Sequence, residues 1–346
     1  MYHTYLTLIV PIALAFVSTF ITIRFLMPLM MGSGITATDY NKKNRPALPS
    51  GLGNALSFGF AIGILAYIFG ASFNLYSSTI SSNMLFAAVV SLMLIALVGF
   101  LDDIHVRKVA MKTTGMMDTR VGLKQWQKPL LTLMGAVPLI AINAGVSIVN
   151  VPLVGHVAFG LLYPLIIIPL AVIFSANSFN LLGGFNGIST ASGIMVALGF
   201  LLYSVIYGTT TGALLSGVML ACLVAFAFFD GYPAKIIPGD SYTYAVGAGF
   251  VITMILGNME SFGVIVFMPW IIEFLLHLKG KFDVTDLGKL QKNGTFAAPY
   301  GKRIFSWTHI IMNIRPMKEW EVTAYMTGIT VCFVIIGFGL KAFGLL

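Results

Sequence analysis

Apolar residues occupy this chain in long unbroken blocks, of which LTLIVPIALAFVSTFITIRFLMPLMM (residues 6–31) and VTAYMTGITVCFVIIGFGL (residues 322–340) are typical. Backbone amides inside hydrocarbon find no water. A block of this length without two-residue alternation must therefore satisfy its own hydrogen bonds as a helix, and strands are excluded as spans. A window of about 20 residues predicts ten spans, near 5–31, 55–70, 84–101, 129–145, 158–176, 191–207, 213–229, 244–257, 262–278 and 320–343. The expected fold is an all-α polytopic membrane protein of about ten transmembrane helices, one integral membrane domain over residues 1–346. Composition agrees: 58% hydrophobic residues, 9% charged and a mean hydropathy of +0.92 exceed what a soluble core could bury. The first block is far longer than the core of a secretory signal and lacks a small-residue cleavage site, so it reads as a retained span. Cys222 and Cys332 both lie inside apolar blocks and are expected to pack, which leaves no disulfide framework or thiolate metal site.

Charge sorts the loops. Eighteen of the 20 basic residues follow odd-numbered spans: Lys42, Lys43 and Arg45 after the first, six from Arg107 to Lys128 after the third, Lys235 after the seventh, and eight from Lys279 to Lys318 after the ninth. By the positive-inside rule those loops are cytoplasmic and both termini lie outside. The formal net charge of +8 is thus a charge of one membrane face, suited to anionic lipid or a phosphorylated substrate. Nucleic acid is disfavoured, because the basic loops lack interleaved aromatic residues on which bases stack.

The acids share that face. Asp39, Asp102, Asp103, Asp118, Asp230, Asp240, Asp283 and Asp286 all fall on the predicted cytoplasmic side, which points to a site at that surface. In GFLDDIH, adjacent Asp102 and Asp103 end the third span, where two carboxylates and the helix dipole both call for a cation or proton; a merely solvated helix end is the alternative. Lys128, opening the fourth span in WQKPLL, reaches them if spans three and four form a hairpin, and otherwise serves as a snorkelling anchor. In PAKIIPGDSYTY a Pro-Gly turn presents Asp240 ahead of the eighth span. There it either caps the helix or, with an amide oxygen from Asn180, offers the hard oxygens that a magnesium ion takes alongside water and phosphate. The stretch NSFNLLGGFNGIS sets Asn177, Asn180 and Asn186 among Gly183, Gly184 and Gly187. Amides supply donors and acceptors without charge, and bare backbone lets a flat or phosphorylated ligand approach; helix packing is the competing use of such glycines. In the last loop, Ile304, Trp307, Ile311 and Ile314 recur at helical spacing and predict an interfacial helix, with His309 at the interface.

These clusters, in this order and on one face, resemble the polyprenyl-phosphate N-acetylhexosamine-1-phosphate transferase family. The carriers are DYNKKNRPALPSGLG, GFLDDI with GLKQWQKP, NSFNLLGGFNG and PAKIIPGD, which together reach from the first loop to the eighth span. NLLGGFNG is more similar to the branch that uses UDP-N-acetylglucosamine and dolichyl phosphate than to the cell-wall branch. The resemblance implies catalytic loops on the cytoplasmic side and transfer of N-acetylhexosamine-1-phosphate from a UDP-sugar to a polyprenyl or dolichyl phosphate in the bilayer, releasing UMP. It implies Mg2+, with Mn2+ as substitute, on Asp240 and Asn180, and catalytic roles for Asp102, Asp103 and Lys128. Of the two aspartates, Asp103 is expected to orient Lys128 or to take up a residual proton, with Asp102 in support. It also implies substrate contacts from Lys42, Asn177, Gly184 and Asn186 and, more loosely, from His277, Lys279, Lys281 and Arg303 on the sugar side. Gly183 stands where cell-wall relatives carry an aspartate, Ile237 where an aromatic often flanks uracil, and Val106 where a third acid could stand. The membrane would be the cell membrane in a prokaryote or the endoplasmic reticulum in a eukaryote, and a homodimer is compatible with the family. The rival reading is a transporter or flippase, which would place its acids near midplane in repeated helices rather than at helix ends on one side.

Overall fold

Six of the predicted blocks fold as helices of 20 to 24 residues, each long and apolar enough to cross a membrane: α1 (Ile9–Gly32), α2 (Gly53–Ser72), α3 (Ser82–Ile104), α7 (Ile188–Tyr207), α8 (Thr210–Asp230) and α13 (Glu319–Ala342). A computed structural model describes residues 6–104, 108–110, 117–120, 123–124, 126–146, 148–151, 155–207 and 209–346; Val106, Arg107 and Lys112 lie outside the described residues. Between the long helices lie shorter ones, α4 (Gln127–Thr132), α5 (Val137–Ala141), α6 (Ile168–Phe179), α9 (Asp240–Leu256), α10 (Glu260–Val266) and α11 (Met268–Lys279), with α12 (Trp307–Ile314) in the last loop. The protein is an all-α, multi-span membrane protein with six such spans, or seven if the bent pair α10 and α11 is one.

Four predicted spans depart from the uniform pattern: the eighth is α9, only 17 residues long, and in the fourth, fifth and ninth proline interrupts the helical ladder. Proline lacks an N–H and its ring crowds the preceding turn. The expected fourth span becomes α4, a 3-10 turn at Leu133–Ala136 and α5, with Pro129 and Pro138 in the two helices. The fifth begins as a π-helical turn, Tyr163–Ile167, which contains Pro164 and runs into α6 just before Pro169. The ninth bends by 55° between α10 and α11, just before Pro269.

Helix α9 is the axis of the bundle. It packs on α3, α6 and α2, and every residue from Ser241 to Leu256 is buried. Phe179 of α6 sits against Phe250 of α9 and stacks on Trp270 of α11, so three helices share one aromatic contact. At the periphery only 22% of the apolar windows of α1 and α13 are buried, and residues such as Phe25 and Ile335 face outward, as lipid-facing positions do.

Strands are absent from the spans but not from the loops, where the described residues contain four antiparallel hairpins. They are β1 (Thr36–Thr38) with β2 (Ala47–Pro49), β3 (Lys108–Ala110) with β4 (Met117–Arg120), β5 (Ile148–Val151) with β6 (Gly155–Ala158), and β7 (Lys289–Leu290) with β8 (Phe296–Ala297). The first hairpin carries Asp39 to Asn41 toward the helix ends, and the Pro49 carbonyl accepts the Ile237 N–H at 2.9 Å.

The contact of α3 with α9 is close enough to exclude a side chain at Gly99, where a Cβ would stand 2.5 Å from the Asp240 carbonyl oxygen. Gly99→Val should therefore wedge α3 from α9 and cost about 1–3 kcal/mol, read as a lower melting temperature in detergent. Gly339→Ala, with nothing within 4 Å of its added Cβ, should leave the melting temperature within error.

Candidate active site

Six helix ends, the start of α7 at Ile188 and Ser189 among them, and the loops beside them meet around a cavity of about 490 Å³. Asp102 and Asp103 come from the end of α3, Lys128 from α4, Asn180 from just beyond α6, Asp230 from the end of α8 and Asp240 from the start of α9. The first loop contributes Asp39 and Tyr40, and the last contributes Asp286.

Asp103 builds the floor. Its Oδ1 accepts the Asp240 N–H at 2.8 Å, and its Oδ2 accepts the Ser241 N–H at 3.0 Å and the Ser241 hydroxyl at 2.6 Å. The free N–H groups that begin any helix are here satisfied by a carboxylate from another helix, and negative charge there also favours the dipole of α9. Asp240 is thus the first residue of α9 rather than its cap. Gly239 makes the turn: its φ is 82°, and a Cβ would lie 2.6 Å from both Asp103 oxygens.

Lys128 lies between the other two carboxylates, 2.6 Å from Asp102 Oδ2 and 3.1 Å from Asp240 Oδ2. Asp102 is nearly fully buried and also accepts the Leu123 N–H, whereas the side chains of Lys128 and Asp240 are about a quarter exposed (25% and 26%). Burial alone would lower the Lys128 pKa; the charges of Asp240, Tyr244 and Asp102 outweigh it and raise the pKa, so the ammonium stays protonated. Sequence pattern assigned the orienting of Lys128 to Asp103. In the structure that bond belongs to Asp102, while Asp103 holds α9.

The amide and glycine stretch forms the adjoining wall. Asn180 Oδ1 accepts the Thr243 hydroxyl of α9 at 2.6 Å. Asn186 donates its N–H to Glu319 Oε1 at 3.0 Å and its Nδ2 to Asp39 Oδ2 at 3.1 Å, and Asn41 Nδ2 reaches both Gly184 O at 2.7 Å and Glu319 Oε1 at 3.0 Å. Asn177 sits behind, bonding Ile173 O at 2.8 Å and Thr132 Oγ1 at 3.2 Å, so it ties α6 to α4 rather than lining the cavity.

Several expected substrate contacts stand elsewhere. Lys42 pairs with Glu319 and Asp39 and lies 4.6 Å from the Tyr232 ring centroid. His277 is buried against Glu273, 3.2 Å from its carbonyl and 3.4 Å from Oε1. Lys279 lies over Phe305, Lys281 occupies the left-handed turn after α11, and Arg303 closes a turn on Tyr300. Neither Lys42 nor any of these four is among the lining residues. His309, expected at the interface, is fully buried: its Nδ1 accepts the Phe305 N–H at 3.1 Å and its Nε2 meets Thr285 O at 2.9 Å. Four acids at the cavity or its wall, Asp39, Asp230, Asp286 and Glu319, had no role assigned from sequence, and Glu319 is the least readable of them. It opens an apolar block, where an acid with buried partners is the only signal.

The donor set suits a hard divalent cation. Asp240 and Asn180 bring carboxylate and amide oxygens to one cavity, and the Lys128 ammonium already sits between two carboxylates as a cation would. Among the described residues no group of three or more His, Cys, Asp or Glu forms a cage. Magnesium does not require one, since it keeps waters and takes phosphate oxygens.

Helix ends, one ammonium, adjacent carboxylates and an amide-lined glycine turn thus gather at one end of a membrane bundle. Residues 84–258 match the pattern of glycosyl transferase family 4, and the chain belongs to that family. It is 31% identical over 334 residues, 96% of each chain, to a Saccharolobus solfataricus protein provisionally named UDP-N-acetylglucosamine–dolichyl-phosphate N-acetylglucosaminephosphotransferase. A Dictyostelium discoideum protein bearing that name without the qualifier is 23% identical, covering 89% of this chain and 82% of its own. The phospho-N-acetylmuramoyl-pentapeptide-transferase of Clostridium perfringens is 27% identical, covering 70% and 71%.

The buried His309 gives the last loop a pH limit. Burial pulls its pKa below the ordinary 6.5, against the raising effect of the Thr285 carbonyl and of Asp286, while His277 adds to the lowering. A base neutral when folded contributes stability that is present above its unfolded pKa and lost as pH falls through it. Melting temperature in detergent should therefore fall as pH drops below about 6.5, and His309→Gln should flatten that slope.

Proposed function

We propose that the protein transfers N-acetylglucosamine-1-phosphate from UDP-N-acetylglucosamine to a polyprenyl or dolichyl phosphate, releasing UMP and leaving a lipid-linked pyrophosphate sugar. The shared family activity is transfer of the phosphate-bearing part of a UDP-sugar to a polyprenyl or dolichyl phosphate, and the choice of sugar rests on the relatives of the same span. In this reading one domain crosses the membrane ten times, with the short and bent helices counted as spans. The cavity is cytoplasmic and both termini lie outside, as the placement of the basic loops suggests. The observation that carries the reading is Lys128 held between Asp102 and Asp240 beside the glycine turn.

Two anionic groups must meet in line, so the barrier is largely electrostatic and orientational. An oxygen of the lipid phosphate forms the new bond to the β-phosphorus of the donor; the bond from that phosphorus to the bridging oxygen breaks, and UMP leaves with the electron pair. The lipid phosphate is already ionised near neutral pH, so no side chain need remove a proton first. Lys128 meets the diphosphate, exchanging one carboxylate contact for phosphate oxygens while Asp102 keeps its ammonium in place. Asp103 positions Asp240 through the first turn of α9. Asp240 and Asn180 would hold Mg2+, or Mn2+ in its place, which supplies charge neutralisation at the diphosphate. Glu319 and Asp39 keep Asn186 and the glycine turn in register along the cavity wall.

The test is UMP release by purified protein given magnesium, a polyprenyl phosphate and UDP-N-acetylglucosamine. Lys128→Met should slow release by about 10²-fold or more, Asp240→Ala should abolish it, and Asp102→Asn should lower the maximal rate more than the apparent donor affinity. A Lys128→Met variant at wild-type rate would refute the assignment of charge neutralisation. Donor crossing sealed vesicles without UMP release would replace transfer by transport.

A further inference from the structure

The Gly183–Gly184 turn presents two successive backbone N–H groups, an arrangement that binds anions. A carboxylate of the same chain already fills it: Asp286 Oδ2 accepts from Gly183 N at 2.9 Å and from Gly184 N at 2.6 Å. Residue 184 must be bare for this to happen, since a Cβ there would stand 2.7 Å from Asp286 Oδ1.

The position of Asp286 is built from several sides. Thr308 Oγ1 donates to the Asp286 carbonyl at 2.7 Å, His309 Nε2 meets the preceding carbonyl of Thr285 at 2.9 Å, and Tyr300 Oη accepts the Thr285 N–H at 3.2 Å. Helix α12, which carries Thr308 and His309, is itself anchored where Glu273 Oε2 of α11 accepts the Trp307 N–H at 2.9 Å. Asp286 lines the cavity, and its Oδ1 has no hydrogen-bond partner among the described residues.

We propose that Asp286 is the residue that selects the donor sugar, accepting hydroxyls of a neutral sugar on Oδ1 and turning away sugars that carry a carboxylate. This rests on the cavity being the site of a nucleoside diphosphate sugar. A hydrogen bond to an ionised acceptor is stronger than one between neutral groups, whereas a second carboxylate brought beside the first meets like charge in a half-buried setting. Because Oδ2 occupies both glycine N–H groups, the diphosphate is not held there and is left to Lys128. The carboxylate therefore also fixes which end of the donor points where.

The experiment is calorimetric titration of the full-length protein in detergent with UDP, UDP-N-acetylglucosamine and UDP-glucuronate, for wild type, Asp286→Asn and Thr308→Val. Wild type should bind the neutral sugar nucleotide more tightly than UDP, and the acidic one more weakly. Asp286→Asn should lower affinity for UDP-N-acetylglucosamine about 10-fold more than for UDP and narrow the penalty against UDP-glucuronate. Thr308→Val, which frees the Asp286 backbone without touching its charge, should move the first ratio the same way and less. Equal shifts for all three nucleotides in Asp286→Asn, or no discrimination by wild type, would overturn the inference. So would a wild type that does not bind UDP. Discrimination as expected with no UMP released in the presence of lipid phosphate would sink the transfer reading and leave the sugar selection standing.

Discussion

A buried carboxylate at the end of one helix holds the first turn of another. Through its three bonds to Asp240 and Ser241, Asp103 fixes the start of α9, and α9 is the helix against which the centre of the bundle packs. Ser241 extends the tie to α2, whose Gly53 N–H bonds its hydroxyl at 3.1 Å. With those backbones in contact, the direction of the Asp240 side chain follows, and with it the place where Lys128 can rest. The placing of Asp240 and Lys128 is thus a consequence of helix packing rather than of a loop free to choose its conformation.

The charge balance of the cavity is the second constraint. Asp39, Asp102, Asp103, Asp230, Asp240 and Asp286 all line it, and Lys128 is the sole basic residue among its described lining positions. Most of these carboxylates are committed to backbone or amide donors: Asp103 to α9, Asp286 to the glycine turn, and Asp39 to Asn41 N–H at 3.0 Å and to Asn186. The abundant positive charge of the loops is largely elsewhere, including on Lys279, Lys281 and Arg303. Such charge acts as a field over a surface rather than at one point, whereas inside the cavity the positive charge of the described lining is that of one ammonium.

Much of this was legible in sequence, for reasons that also explain the rest. The long spans were readable because uninterrupted apolarity leaves helix as the one way to satisfy the backbone, and their ends fell within a few residues of expectation. The convergence of Asp102, Lys128, Asn180 and Asp240 was readable because acids beside hydrocarbon need a reason. The division of labour between Asp102 and Asp103 was not. Neighbours on a helix point about 100° apart, and only the packing of α3 on α9 decides which meets which partner. Glu319 and Asp286 were missed for a different reason: their partners lie 133 and 103 residues away, at Asn186 and Gly183. The basic residues of the last loop stand outside the cavity lining, and in sequence a topology signal and a ligand contact look alike.

The two halves of the cavity are held by separate scaffolds. Asp102, Asp103 and Asp240 ride on the ends of α3 and α9, which are locked backbone to backbone, whereas Asp286 is carried by a loop braced on α12. Mutations that remodel the loop can therefore drift without disturbing the frame. A lineage built on this plan is free to vary what the loop presents to the cavity while the helix-borne carboxylates stay fixed.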